Sequence, residues 1–368
     1  MHRTFVGWLV AIPMAAMAAP ATPDSLAARL HVPAGFIVSL YANVPNAREM
    51  TWGDQGTLFV GSMDAGKVYA VRDEDHDGHA DSVRVIARGL RMPVGVAFHE
   101  GALYVSAVDR VVRLDAIEKH LDAPPAPVVV VSDLPSDGSH GWRYLGFGPD
   151  GDLYVPIGAP CNVCDRPGYA KLIRMRPDGH AREDVAFGIR NTVGFAWHPQ
   201  TGHLWFTDNG RDLLGDDVPD DELNVVTAPR QHFGFPYCHA GDVPDPTFGK
   251  DKSCKDYVPP AAKLGAHVAS LGIAFYAGSM FPPDYRNGAF IAEHGSWNRS
   301  SKSGYRVVRV RIDGDEVTSV TPFLTGFLDG QTTLGRPAAV IVAPDGALLV
   351  SDDMQGAIYR IAYKEPSR

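Results

Sequence analysis

Two stretches, Ser139-His-Gly-Trp-Arg-Tyr-Leu-Gly-Phe-Gly and Gly188-Ile-Arg-Asn-Thr-Val-Gly, set a histidine and an arginine–asparagine pair just ahead of apolar runs. A neutral imidazole at His140 can take up a proton near neutral pH. Arg190 is a fixed cation with forked donors, and Asn191 both donates and accepts, which suits an anionic, carbonyl-rich ligand. Arg336, in Gly335-Arg-Pro, has the same place ahead of a later run, and Arg299 and Lys302 occupy a polar loop. Each has an ordinary reading beside the chemical one. His140 is one of 14 histidines and can simply cap a loop, and Arg190 with Asn191 can be a surface cation beside a turn residue.

Two acidic stretches offer hard oxygen ligands. Thr207-Asp-Asn-Gly-Arg continues to Gly215-Asp-Asp-Val-Pro-Asp-Asp-Glu-Leu-Asn224, where carboxylates and glycine carbonyls could hold Ca²⁺ or form a solvated loop. Asp73-Glu-Asp-His-Asp-Gly-His-Ala-Asp81 begins like an EF-hand loop, but Arg84 stands where the bidentate Glu belongs. A structural Ca²⁺ on Asp73, Asp75, Asp77 and Asp81, or a plain hairpin turn, are the two readings.

These groups need a frame, and the frame repeats. Gly56-Thr-Leu-Phe-Val recurs as Gly101-Ala-Leu-Tyr-Val, Gly151-Asp-Leu-Tyr-Val, Gly202-His-Leu-Trp-Phe, Gly288-Ala-Phe-Ile-Ala and Gly346-Ala-Leu-Leu-Val. An apolar strand precedes most copies, and one alternating apolar and basic residues follows, with turn residues such as Pro149-Asp-Gly151 between them. The glycines lie 45, 50, 51, 86 and 58 residues apart. A period of about 40–50 residues with several short strands per copy marks a β-propeller blade. The expected fold is all-β: a six-bladed propeller of four-stranded antiparallel blades over residues 32–368, with an insertion at about 228–265. Phe36-Ile-Val-Ser-Leu-Tyr is placed to close the ring against the last blade. A β-sandwich is the competing architecture. In a ring, the loops bearing His140, Arg190, Arg299, Lys302 and Arg336 gather at one mouth.

Composition narrows the partners. A net charge of −9 without a basic run argues against nucleic acid, and no apolar stretch reaches the ~20 residues of a spanning helix. Residues 1–19 read as a secretory signal peptide, with Arg3, an apolar core and small residues before the cut, followed by a loose leader at 20–31. The expected location is therefore periplasmic or secreted. The four cysteines of an exported chain favour disulfides, and the local pairing is Cys161 with Cys164 and Cys238 with Cys254. Redox chemistry at Cys161/Cys164 is the alternative. Asp165 stands where haem attachment needs His, and the second pair lacks zinc spacing.

Taken together, Ser139-His-Gly-Trp-Arg-Tyr-Leu-Gly-Phe-Gly-Pro-Asp-Gly, Ile157-Gly-Ala-Pro-Cys-Asn-Val-Cys-Asp, Gly188-Ile-Arg-Asn, Asp221-Glu-Leu-Asn and Glu293-His-Gly-Ser-Trp-Asn-Arg resemble the soluble pyrroloquinoline quinone (PQQ) dehydrogenases, in their sorbosone- and aldose-dehydrogenase branch. The resemblance covers nearly all of the chain after residue 31. It implies a six-bladed propeller holding PQQ and Ca²⁺ over the axis. It further implies His140 as the base for a substrate hydroxyl, Arg190 and Asn191 at the cofactor and reacting oxygen, and main-chain carbonyls of Gly210 and Arg211 on Ca²⁺. Arg336 and Arg299, with Lys302 competing for the latter's place, become cofactor cations. The substrate so implied is a sugar or sugar aldehyde, with a cytochrome or quinone as external electron acceptor. Departures from the pattern lie at Thr192-Val193, Ala338-Ala339 and the 158–162 loop. A metal-dependent propeller lactonase and a non-catalytic binding propeller are the competing functions.

Overall fold

The computed structural model describes residues 22–365; the expected signal peptide, residues 1–19, lies outside them. Every repeated glycine-led run forms the second strand of a blade: Leu58–Ser62, Ala102–Ala107, Leu153–Ile157, Leu204–Asp208, Ala289–Glu293 and Leu348–Asp352. All residues of these strands are buried rather than alternating, because each is covered on both faces by the adjoining blades. Six antiparallel sheets result, each running outward from an inner strand at the axis.

The inner strands crowd at that axis. A Cβ on Gly95 would lie 1.9 Å from the Arg143 carbonyl, and one on Gly194 would lie 2.4 Å from that of Leu271. Only glycine admits such an approach of neighbouring backbones. Hydroxyls of the second strands tie the inner strands down: Ser106 Oγ accepts from Gly95 N–H and Ser351 Oγ from Ala339 N–H.

Ring closure is as expected. Phe36–Asn43 pairs antiparallel with Ala357–Tyr363 and supplies the outer strand of the last blade. The leader expectation needs correcting, because from Thr22 onward the segment is docked, not loose. Pro23–Ala27 forms a short helix, Leu26 is fully buried, and His31 exchanges both backbone hydrogen bonds with Thr325. This is the five-residue α-helix of an otherwise β molecule; among the described residues no helix is long and apolar enough to cross a membrane.

The insertion lies between Asp220–Val226 and Ala262–Ala266, the third and fourth strands of blade four. It contributes Gln231–His232 as a fifth, parallel edge strand to the preceding blade, so that sheet exceeds the expected four. Both disulfides join the local partners, Cys161 to Cys164 and Cys238 to Cys254.

Closure can be tested at one side chain. Phe36 meets Phe281, Tyr285, Phe323 and Tyr363 with ring centroids 4.8, 5.2, 5.1 and 5.0 Å away. Phe36→Ala should lower the stability of the ring by about 3–5 kcal/mol, read as a shifted urea midpoint.

Candidate active site

At one end of the ring, loops of blades one, three, four, five and six enclose a cavity of ≈ 370 Å³, within the range for small ligands. His140, Trp142, Arg190, Asn191, Gly210 and Arg336 line it, together with Arg48, His294, Trp297 and Asp353. His140 and Arg190 therefore share one opening, although they come from separate blades.

The fold sets the state of His140. Its Nδ1 lies 2.7 Å from the Ala159 carbonyl, which can only accept, so Nδ1 carries the proton and Nε2 is left as a bare acceptor. Burial, helped by the neighbouring Arg190 charge, pushes the imidazole down to about 3. His140 takes a left-handed φ of 48°, and its loop is held by Arg143. That guanidinium, 1% exposed, donates to the carbonyls of Val108, Pro135 and His140 itself at 3.1, 2.9 and 3.2 Å. A buried cation spent on carbonyls of this loop and of the turn at Val108 makes the loop's shape costly to change.

Arg190 is held from both ends. Its backbone N–H and that of Asn191 donate to the two oxygens of Asp208 at 2.8 and 2.6 Å, at the top of the adjoining strand. Its side chain reaches Asn162, the Asn209 carbonyl and Asp212 Oδ2, the last at 2.9 Å. Asn191 Oδ1 accepts from the Trp142 indole at 2.9 Å. Arg336 repeats the design in the last blade: its N–H donates to Asp352 at 3.0 Å, and its guanidinium donates to the carbonyls of His294 and Gly295.

A second cluster completes the wall. Arg48 pairs with Asp353 at 2.7 Å, and the His294 Nε2–H donates to the same carboxylate at 2.9 Å. Burial pushes His294 down to about 4, while the contacts from His294 and Arg48 hold the Asp353 carboxyl well below the usual carboxylate range. Trp297, 73% exposed, stands at the rim.

A family model described as TrAA12-like matches residues 178–364. An uncharacterised protein of Borreliella burgdorferi is 34% identical over 359 residues, covering 93% of each chain. The chain belongs to the TrAA12-like family. That assignment upholds the resemblance to the soluble PQQ-dependent sugar dehydrogenases. Among solved structures, a calcium structure of the Carbohydrate-Active Enzymes Family AA12 protein of Trichoderma reesei superposes with a TM-score of 0.81 at 21% identity, over 91% of this chain and 97% of that one. The holo form of the pyranose dehydrogenase PQQ domain of Coprinopsis cinerea gives 0.78 at 18%, over 90% and 97%. The PQQ-bound aldose sugar dehydrogenase of Streptomyces coelicolor gives 0.66 at 20%, over 90% and 99%. At such identities the likeness is one of fold.

Within this TrAA12-like site, several expected residues are engaged elsewhere. Arg299 does not line the cavity; it binds the Asp216 and Ala266 carbonyls and Asp217. Lys302 donates to the Gln331 carbonyl and Thr333 Oγ1, also outside it. Arg211 turns its guanidinium to Asp245, away from the cavity lining. The 207–224 stretch is a loop over 209–219 between two strand ends: Asp208 and Glu222 are buried cross-strand partners, and burial raises both carboxyls. Asp73, Asp75 and Asp81 bring oxygens within 4.8 Å of one another, whereas Asp77 falls outside that group. Each of the three already accepts a backbone N–H of the same turn. Sequence reading missed Arg48, His294, Trp297 and Asp353. His294 and Trp297 sit in a motif already singled out, while Arg48 shows only as one charge beside Glu49 in a mixed strand.

The residues present fit PQQ with Ca²⁺. Three guanidinium groups from blades one, four and six suit a polycarboxylate, and two indoles suit a planar ring system. Among the described residues, the successive carbonyls of Gly210 and Arg211 accept no hydrogen bond, which leaves hard oxygens for a cation.

The Asp208 tether gives a direct prediction. Asp208→Asn sets amide protons against an N–H donor of Arg190 or Asn191. It should cost about 1–3 kcal/mol in urea unfolding, with the denaturant slope unchanged.

Proposed function

We propose that this chain is a PQQ- and Ca²⁺-dependent dehydrogenase oxidising a hydroxyl of a sugar, or of the hydrate of a sugar aldehyde, with His140 as general base. One observation carries the reading: His140, whose Nδ1 is taken up by the Ala159 carbonyl, lines the same cavity as Arg190, Asn191 and Arg336. PQQ, when bound, supplies an electrophilic ortho-quinone that takes up the hydride equivalent. Arg48, Arg190 and Arg336 would hold its carboxylates, and the Gly210 and Arg211 carbonyls would hold Ca²⁺.

The remaining work falls to the chain's own groups. His140 Nε2 accepts the substrate hydroxyl proton as the carbon–hydrogen bond breaks, and its Nδ1–H···O=C bond to Ala159 keeps the ring oriented. Arg190 and Asn191 lie beside it to steady negative charge growing on the substrate oxygen. The Trp142 indole holds the Asn191 carboxamide in one orientation, leaving its NH₂ free to donate. Electrons then leave to an external acceptor, a cytochrome or quinone. The two disulfides suit a periplasmic or secreted protein.

The lactonase alternative needs carboxylates and amides converging on a metal over the axis. Three of the cavity carboxylates are otherwise spent: Asp212 on Arg190, Asp353 on Arg48, and Asp221 on the N–H groups of Gly210 and Ser270.

Reconstitution with PQQ and Ca²⁺ should give a cofactor absorbance change and dye reduction with at least one sugar of a panel. Neither signal appearing would remove this reading. His140→Ala should retain PQQ and lose about 10²–10⁴-fold in kcat. The pH profile follows from the low histidine pKa. Because the folded imidazole stays neutral far below the 6.5 of a free histidine, kcat/KM should hold level from pH 7 down to pH 5. A fall centred near 6.5 would contradict this assignment.

A further inference from the structure

The 227–261 insertion, stapled by Cys238–Cys254, has the place of a lid in the sequence, yet none of its residues lines the cavity. Its buried contacts go to the loops that build the cavity wall. Phe233 N–H and Phe235 N–H donate to the carbonyls of Phe187 and Gly188, at the root of the Arg190 loop. Ala240 N–H donates to Glu222, the strand partner of Asp208.

The strongest fastening is Asp245. Its side chain is fully buried, and one oxygen accepts the N–H groups of Thr247 and Phe248 at 2.8 and 2.9 Å. The other oxygen accepts from Arg211 Nη1 at 2.5 Å and His239 Nε2 at 3.0 Å. Its lone pairs are thereby filled, and neither buried charge is tolerable without the other. Arg211 is also one of the two residues with unclaimed carbonyls, and its chain neighbours Gly210 and Asp212 line the cavity. Its side chain is anchored on one side and its carbonyl is left for a cation on the other.

We propose that the stapled insertion is a clamp which presets the Gly210 and Arg211 carbonyls for a hard cation, with Asp245 and Arg211 as its positioning residues. The cation part rests on the calcium–PQQ reading above. Fixing a ligand's orientation from outside the coordination sphere typically changes metal affinity about 10–100-fold.

The test uses the full chain. Arg211→Gln keeps the carbonyl and much of the stem but removes the charge. It should raise the apparent Kd for Ca²⁺, measured at fixed PQQ by absorbance, about 10–100-fold. It should also speed amide exchange across residues 209–217 of the ligand-free protein while the blades exchange as before. Arg211→Lys should recover part of both. Asp245→Asn should act likewise, and the double variant no worse than the stronger single one, because both remove the same contact. Unchanged Ca²⁺ affinity together with unchanged local exchange overturns the clamp, and so does faster exchange spread over every blade. If Asp245→Asn fails to fold, the Arg211 variants decide alone. If the wild-type protein takes up no PQQ, the functional reading falls, and the exchange measurement still judges the clamp.

Discussion

Three guanidinium groups share one largely buried cavity, and the rest of the site follows from how their charge is balanced. Like charges out of water repel strongly and lose their hydration, so each needs a fixed counter-group. Arg48 has Asp353 and Arg190 has Asp212, while Arg336 is met by two carbonyl dipoles. Every one of these partners comes from a neighbouring loop, so the balance also locks the loops to one another. Arg190 in turn helps keep His140 neutral. A cavity built this way is organised before any ligand arrives, which is the condition for electrostatic stabilisation of a transition state.

Support for the cations reaches into the blades through one repeated position. Asp208 and Asp352 each close a second strand and accept backbone N–H groups of the incoming loop that carries Arg190 or Arg336. The preceding residues, Thr207 and Ser351, use hydroxyls to hold the neighbouring strands. Blade two has the hydroxyl, Ser106, but Ala107 where the carboxylate would be. The blade is thus a common scaffold, and in blades four and six the carboxylate at the strand's end holds the loop that presents a cation.

Much of this was legible from local pattern. The glycine-led runs are second strands because a turn glycine and a short apolar run carry their own instructions. Phe36–Asn43 could be assigned to ring closure because a six-fold ring leaves one outer strand missing. Where the reading failed, the determinant lay in three dimensions. Arg299 and Lys302 have the right charge in a mouth loop, but Asp216, Asp217, Gln331 and Thr333 intercept them first. The 22–31 segment shows little regular period, yet it docks because the last blades leave an apolar surface around Phe327 for Leu26.

The order of residues alone therefore determined the number of blades, the second strand of each, the local disulfides and the entry loops carrying His140, Arg190 and Arg336. All of these depend on neighbours within about one repeat. Tertiary structure decided which cations face the cavity, which nitrogen of His140 bears its proton, and that the insertion grips loops instead of covering the mouth. Those outcomes depend on partners such as Ala159, Asp212, Asp245 and Asp353, which belong to other loops or blades. No local pattern can encode a hydrogen bond whose two ends meet only when the ring closes.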